Sequence, residues 1–195
     1  MKFDVKRLVF LSLLIAMGVV LKIFKIPVPY LGLTFTGFPP IIAGVLFGPV
    51  GGFIVGAFSD ILGFIFRPTG PYMPHFTLSA ALTGAIPGLV LYFFKKESLK
   101  IWHYLIAIAA VQITTSVLMV PYFLYSLFGL PFKVNFYEGI VKQLQHIPLY
   151  AIVAKIIVDR VYQSGVLERN DSVSNDAAWW LISIFSIFKK LKFKY

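Results

Sequence analysis

Several polar and ionisable residues stand inside long apolar stretches of this chain, and their types limit the chemistry available to it. Gln112, Thr114, Thr115 and Ser116 fall midway along one apolar run, and Gln143, Gln145 and His146 fall in another. At membrane depth such groups either bridge helices or line a cavity. Phe35, Phe38, Phe66, Tyr72 and Phe76 lie at or near the ends of other runs, with the cations Lys22, Lys25, Arg67, His75 and Lys133 at the same level. Together they describe an aromatic, hydrogen-bonding, mildly cationic mouth. That set suits a flat heteroaromatic ligand bearing negative charge. The plainer alternative is helix bridging beneath an interfacial aromatic belt.

Catalysis is the competing class. Ser116 and His146 could form the serine–histidine dyad of an intramembrane hydrolase, but no Gly-x-Ser-x-Gly setting surrounds Ser116. The expectation is therefore no enzyme. His75, His103 and His146 occupy separate segments and there is no cysteine, so neither a metal nor another cofactor is expected. A Walker-type phosphate loop is absent, which leaves the chain without an ATP site of its own. Asp60 is an ionisable group inside an apolar run; Arg67 two turns on, or Lys22, would pair with it, unless it meets a ligand.

The elements that must hold these residues follow from composition. Of 195 residues, 58% are hydrophobic and only 13% charged, yet the net charge is +10. A nucleic-acid binder would need far more polar surface, and a disordered chain far less apolar residue. An integral membrane protein with basic flanks remains. The expected fold is all-α, with six transmembrane helices over about 8–20, 38–47, 51–66, 77–94, 102–127 and 137–161, and a ligand cavity on the extracellular side. Gly48-Pro49 separates the second from the third, and the Pro-rich stretch 67–74 separates the third from the fourth.

Charge sets the orientation. Lys2, Lys6 and Arg7 precede the first span, Lys95, Lys96 and Lys100 lie between the fourth and fifth, and Arg160 and Arg169 follow the sixth. These clusters fall on one side, which reads as cytoplasmic, with both termini inside. The membrane domain covers 1–162. A polar linker follows at 163–176, and 177–195 reads as a basic amphipathic tail on the anionic inner leaflet, carrying Lys189, Lys190, Lys192 and Lys194.

Two small-residue patterns concern packing. Gly44, Gly48, Gly52 and Gly56 recur every four residues and suit close helix contact. Ser12 and Ala16, one turn apart on the first helix, make a shallow groove for packing or for docking another membrane protein.

The stretch 47–89 carries Gly48-Pro49-x-Gly51-Gly52, Ser59-Asp60, Pro68-x-Gly70-Pro71-Tyr72 and Phe76-Thr77-Leu78-Ser79-Ala80. It resembles the substrate-binding S components of energy-coupling factor (ECF) vitamin transporters, within them the folate-type branch. The resemblance extends over the chain to about Val161. It implies a bacterial plasma-membrane protein that captures a vitamin outside the cell. Such a protein then associates with a membrane coupling subunit and two cytoplasmic ATPases, and topples to release its cargo inward. The family docks through small residues four apart on helix one, typically alanines. Ser12 and Ala16 match that place, with serine in place of one alanine. For a folate, the pterin ring would stack on aromatics of the Phe35 and Tyr72–Phe76 segments. Its edge would meet Gln112, Thr115, Gln143 or His146. Its carboxylates would meet Arg67, Lys22, Lys25 or Lys133, with His75 nearby. Other readings are the same scaffold for a thiamine precursor, riboflavin or pantothenate, the hydrolase above, or an assembly factor that binds no small molecule.

Overall fold

The computed structural model describes residues 5–24, 35–68, 70–94 and 99–165, and those residues are helical apart from short connections. Lys25 and the expected tail at 177–195 lie outside the described residues. Helix α1 (Val5–Ile23) is followed by α2 (Phe38–Phe66), α3 (Pro74–Phe94), α4 (Ile101–Gln112), a π-helical stretch (Ile113–Met119), α5 (Val120–Phe128) and α6 (Phe132–Gln163). By length and composition, Phe38–Phe66, Pro74–Phe94 and the continuous run Ile101–Phe128 suffice to cross a membrane.

Helix α2 is two arms joined by a sharp break. Its start carries Pro39 and Pro40 in the first turn, where no intrahelical donor is lost. Gly48 adopts φ 79° and ψ −177°, a conformation that favours glycine, and Pro49 follows it. The arms turn back on each other there. A Cβ on Gly52 would stand 2.8 Å from the Gly44 Cα, and one on Gly18 of α1 would lie between Ser59 and Pro39, 20 residues apart in sequence. Gly84 of α3 closes the cluster, since a Cβ there would be 2.8 Å from the Gly52 Cα and closer still to the Gly52 carbonyl. Lipid tails are as apolar as leucine, so backbone proximity of this kind, not hydrophobic burial, is what joins helices in a bilayer. The recurrent glycines are therefore the α2–α3 seam.

The first arm is the centre of the molecule. Ile41, Ala43, Val55, Tyr104, Ala107, Ile108, Ala151 and Ala154 are each 0% exposed and form one core from α2, α4 and α6. Arg7 fastens α1 to the break, where its Nη2 donates to the Phe47 carbonyl at 2.6 Å and the guanidinium sits 5.8 Å from the Phe47 ring centroid.

The run Ile101–Phe128 departs from an ordinary helix in its middle. The Val120 N–H donates to the Thr115 carbonyl, five residues back. Two side-chain effects account for it. Thr114 and Thr115 donate their hydroxyls to the carbonyls of Ala110 and Val111, each at 2.8 Å, competing with backbone donors. Pro121 has no N–H to continue the α pattern. The run ends at Gly129, φ 67°, whose N–H donates to Tyr125 O at 3.0 Å while that of Leu130 reaches Leu124 O.

Candidate functional site

A cavity of about 330 Å³ opens between α1, α2, α3, the π-helical stretch and α6. Each element contributes side chains by its own period. From α3 come Phe76, Ser79, Ala80 and Thr83, one helical stripe. The run Ile101–Phe128 supplies Gln112, Thr115, Ser116 and Val120, and α6 supplies Lys142, Gln143, His146 and Tyr150. Lys22 of α1, with Ser59 and Asp60 of α2, forms the charged corner, and Thr36 and Gly37 lie where the chain enters α2. The volume is at the lower end for a small-molecule site.

Hydrogen bonding decides what this lining can offer. Lys22 Nζ lies 2.5 Å from Asp60 Oδ1 and donates to the Asp60 carbonyl at 3.0 Å. The Thr77 hydroxyl donates to Asp60 Oδ2 at 2.7 Å, and Tyr72 OH lies 2.9 Å from that hydroxyl. The carboxylate is thus held from two sides, and the Lys22 stem lies against Gly63, where a side chain would collide with it. Lys142 Nζ is 2.5 Å from Glu138 Oε1, so both cations of the lining already have acidic neighbours. His146 Nδ1 lies 2.7 Å from the Lys142 carbonyl. Thr115 gives its proton to the Val111 carbonyl, and its oxygen has the Thr83 hydroxyl 3.3 Å away across the cavity lining. Ser116 Oγ donates to Gln112 Oε1 at 3.0 Å. A hydroxyl committed in that way is not a nucleophile activated by His146.

Of the residues singled out in the sequence, Lys22, Asp60, Phe76, Gln112, Thr115, Ser116, Gln143 and His146 line the cavity. The others have different surroundings. Phe35 is 44% exposed, with its ring 6.1 Å from that of Tyr150. Tyr72 is equally exposed and packs 5.2 Å from Phe64. His75 rests 5.3 Å from the Phe123 ring. Arg67 Nη1 donates to the Ile23 carbonyl at 2.6 Å, joining the ends of α1 and α2. Lys133 is exposed in the first turn of α6. Asp60, within the lining, has Lys22 as its ion-pair partner. Thr36, Thr83 and Tyr150 line the cavity without having been singled out, as do Ser59 and Ser79, which the sequence offered only as parts of a motif. The spacing of Phe76, Ser79, Ala80 and Thr83 was the available signal for the α3 face.

Outside the cavity, Ser12 and Ala16 are exposed on α1 on one face with Val9, Leu13 and Val20, which are 58%, 60% and 50% exposed. Leu11, Leu14, Gly18 and Val19 bury the opposite face.

The family profile described as "ECF transporter, substrate-specific component" matches residues 6–158. The chain belongs to the S components of ECF transporters. This S component is a multi-pass membrane protein and a transporter subunit, not an enzyme. It is 34% identical over 161 residues to the "Folate transporter FolT" of Clostridium novyi (strain NT), covering 80% of this chain and 92% of that protein. It is 39% identical to the "Riboflavin transporter RibU" of Staphylococcus aureus (strain TCH60), but over 74 residues, 34% of this chain and 39% of that one. Among solved structures it is similar to one described as "Crystal structure of FolT bound with folic acid". That likeness has a TM-score of 0.67 and 26% identity, covering 82% of this chain and 98% of the other.

Proposed function

We propose that this S component captures folate, or a reduced or formylated folate, outside the cell and delivers it inward on an ECF coupling module. The observation that carries the reading is near full-length similarity to a folate transporter, 92% of whose length is matched. The riboflavin relative shares a shorter stretch, 39% of its length, which speaks for a common scaffold. The cavity supports the assignment chemically. The amides of Gln112 and Gln143, the hydroxyl of Thr115 and the imidazole of His146 suit the donor and acceptor edge of a pterin. The rings of Phe76 and Tyr150 in the lining, with Phe35 and Tyr72 nearby, suit its faces. A volume of about 330 Å³, bordered by Lys22, suits the ring system with the glutamate extending outward; Arg67 and Lys133 are the further cations we propose for its carboxylates.

In this reading the chain crosses the bacterial plasma membrane six times, the arms of α2 counting separately. Both termini are cytoplasmic, the cavity opens outward, and 163–176 links the membrane domain to a basic tail at 177–195. The exposed Ser12–Ala16 face of α1 receives the coupling subunit, which carries the two ATPases, and the chain topples against it to release folate. The test is mass spectrometry of compounds that leave the purified protein on denaturation. A folate at about one per chain is expected. A flavin, thiamine precursor or pantothenate in its place would overturn the folate assignment while leaving the family untouched.

A further inference from the structure

Two glutamines line the cavity from neighbouring elements, Gln112 from the end of α4 and Gln143 from α6, and their surroundings differ. Gln112 is 5% exposed and its Oε1 accepts the Ser116 hydroxyl at 3.0 Å. What Gln112 has left to offer is its Nε2, a donor. Gln143 is 9% exposed, and its Oε1 is buried with no hydrogen-bond partner among the described residues. A buried acceptor left unpaired is costly, so this site calls for a donor from outside the protein. The walls approach closely at Gly139, where a Cβ would be 3.3 Å from the Ser116 carbonyl. Gly139 precedes Gln143 by one turn, and Ser116 follows Gln112 by one turn within the π-helical stretch. π turns of this kind recur at functional sites because they re-aim side chains.

We infer that Ser116 is a positioning residue. It fixes the Gln112 amide as a donor, with Gln143 on the neighbouring helix as an acceptor, so that the site reads one acceptor and one donor on a heterocyclic head group. This rests on the folate reading and sharpens it. A pterin presents a 4-oxo acceptor beside N–H donors; the 4-oxo meets Gln112 Nε2, and an N–H meets Gln143 Oε1. Without Ser116 the Gln112 amide can turn over and present either atom, so affinity persists while discrimination falls.

The experiment compares folic acid with aminopterin, which carries a 4-amino donor where folic acid has the 4-oxo acceptor. Both are titrated against the full chain in detergent by tryptophan fluorescence, and the ratio of the two dissociation constants is the readout. The unsubstituted protein should favour folic acid by roughly tenfold, one good hydrogen bond exchanged for a clash of donors. Ser116→Ala should bring the two ligands to within about threefold, and Ser116→Thr, which keeps the hydroxyl, should restore the preference. A role in packing alone would weaken both ligands equally. Should Ser116→Ala not fold, Gln112→Glu decides: an acceptor fixed there should reverse the preference. An unchanged ratio in Ser116→Ala or in Gln112→Glu overturns the inference, as does an unsubstituted protein that binds both ligands equally. An unsubstituted protein that binds neither overturns the folate reading, and the inference with it.

Discussion

Lys22 and Asp60 form an ion pair between the end of α1 and the second arm of α2, and both border the cavity. The aspartate has Lys22 on one oxygen and Thr77 on the other. The lysine side chain remains 30% exposed, against 17% for the aspartate. A ligand carboxylate can therefore approach the lysine from the open side without displacing Asp60.

Removing either partner should destabilise the protein, Lys22→Ala more than Asp60→Asn, because the first leaves the less exposed charge unpaired. We expect a coupling of about 1–2 kcal/mol in a double-mutant cycle, reduced from the fully buried case by the solvent that reaches the lysine. Unfolding midpoints of the four proteins in one detergent measure it. Additive effects would mean that the pair contributes nothing.

In the proposed reading, anion recognition at the mouth separates the two glutamate carboxylates of folic acid from the single benzoate carboxylate of pteroic acid. Arg67→Ala should weaken folic acid by roughly tenfold, a charge-assisted bond lost, and pteroic acid, which lacks the glutamate, by much less. Isothermal titration of both ligands checks this. Equal losses would assign Arg67 to tying α1 and α2 together through Ile23.

The α2–α3 seam should tolerate no side chain. Gly84→Ala places a Cβ against the Gly52 backbone, where no flexible group can move aside. A loss of about 3 kcal/mol is expected, read as a lowered midpoint. Gly129→Ala, at a position with open space but φ 67°, should cost only about 1 kcal/mol.

Much of this arrangement was legible in the residues. Gly48-Pro49 marked the break in α2, because a positive φ and a missing N–H can be foreseen locally. The burial of Gln112, Thr115, Gln143 and His146 followed from polar groups at mid-run depth. The choice of Lys22 over Arg67 as the ion partner of Asp60 did not, since it depends on how closely α1 approaches at Gly18 and Gly63. The α3 wall was legible only as a shared helical face, because Ser79, Ala80 and Thr83 look the same whether they pack or line a cavity. The π-helical stretch arises from Thr114, Thr115 and Pro121 acting together, which no single residue announces.

In the proposed reading, docking and binding use different faces of α1. Ser12→Trp and Ala16→Trp lie on its exposed side, so folate affinity should stay within about twofold of normal, as for surface substitutions generally. Uptake into cells that also express the coupling module should fall to background. Loss of binding together with uptake would make these positions part of the fold.

The central claim, a folate site inside this cavity, is tested most directly by thermal unfolding of the purified S component against increasing folate. At a hundredfold excess over the dissociation constant, binding to the folded state should add about 2.7 kcal/mol. For a chain of this length that raises the midpoint by roughly 5–10 °C, and Gln143→Leu should abolish most of the rise. A midpoint that does not move with micromolar folate or formyl-tetrahydrofolate, in protein shown to be free of bound ligand, would contradict the account.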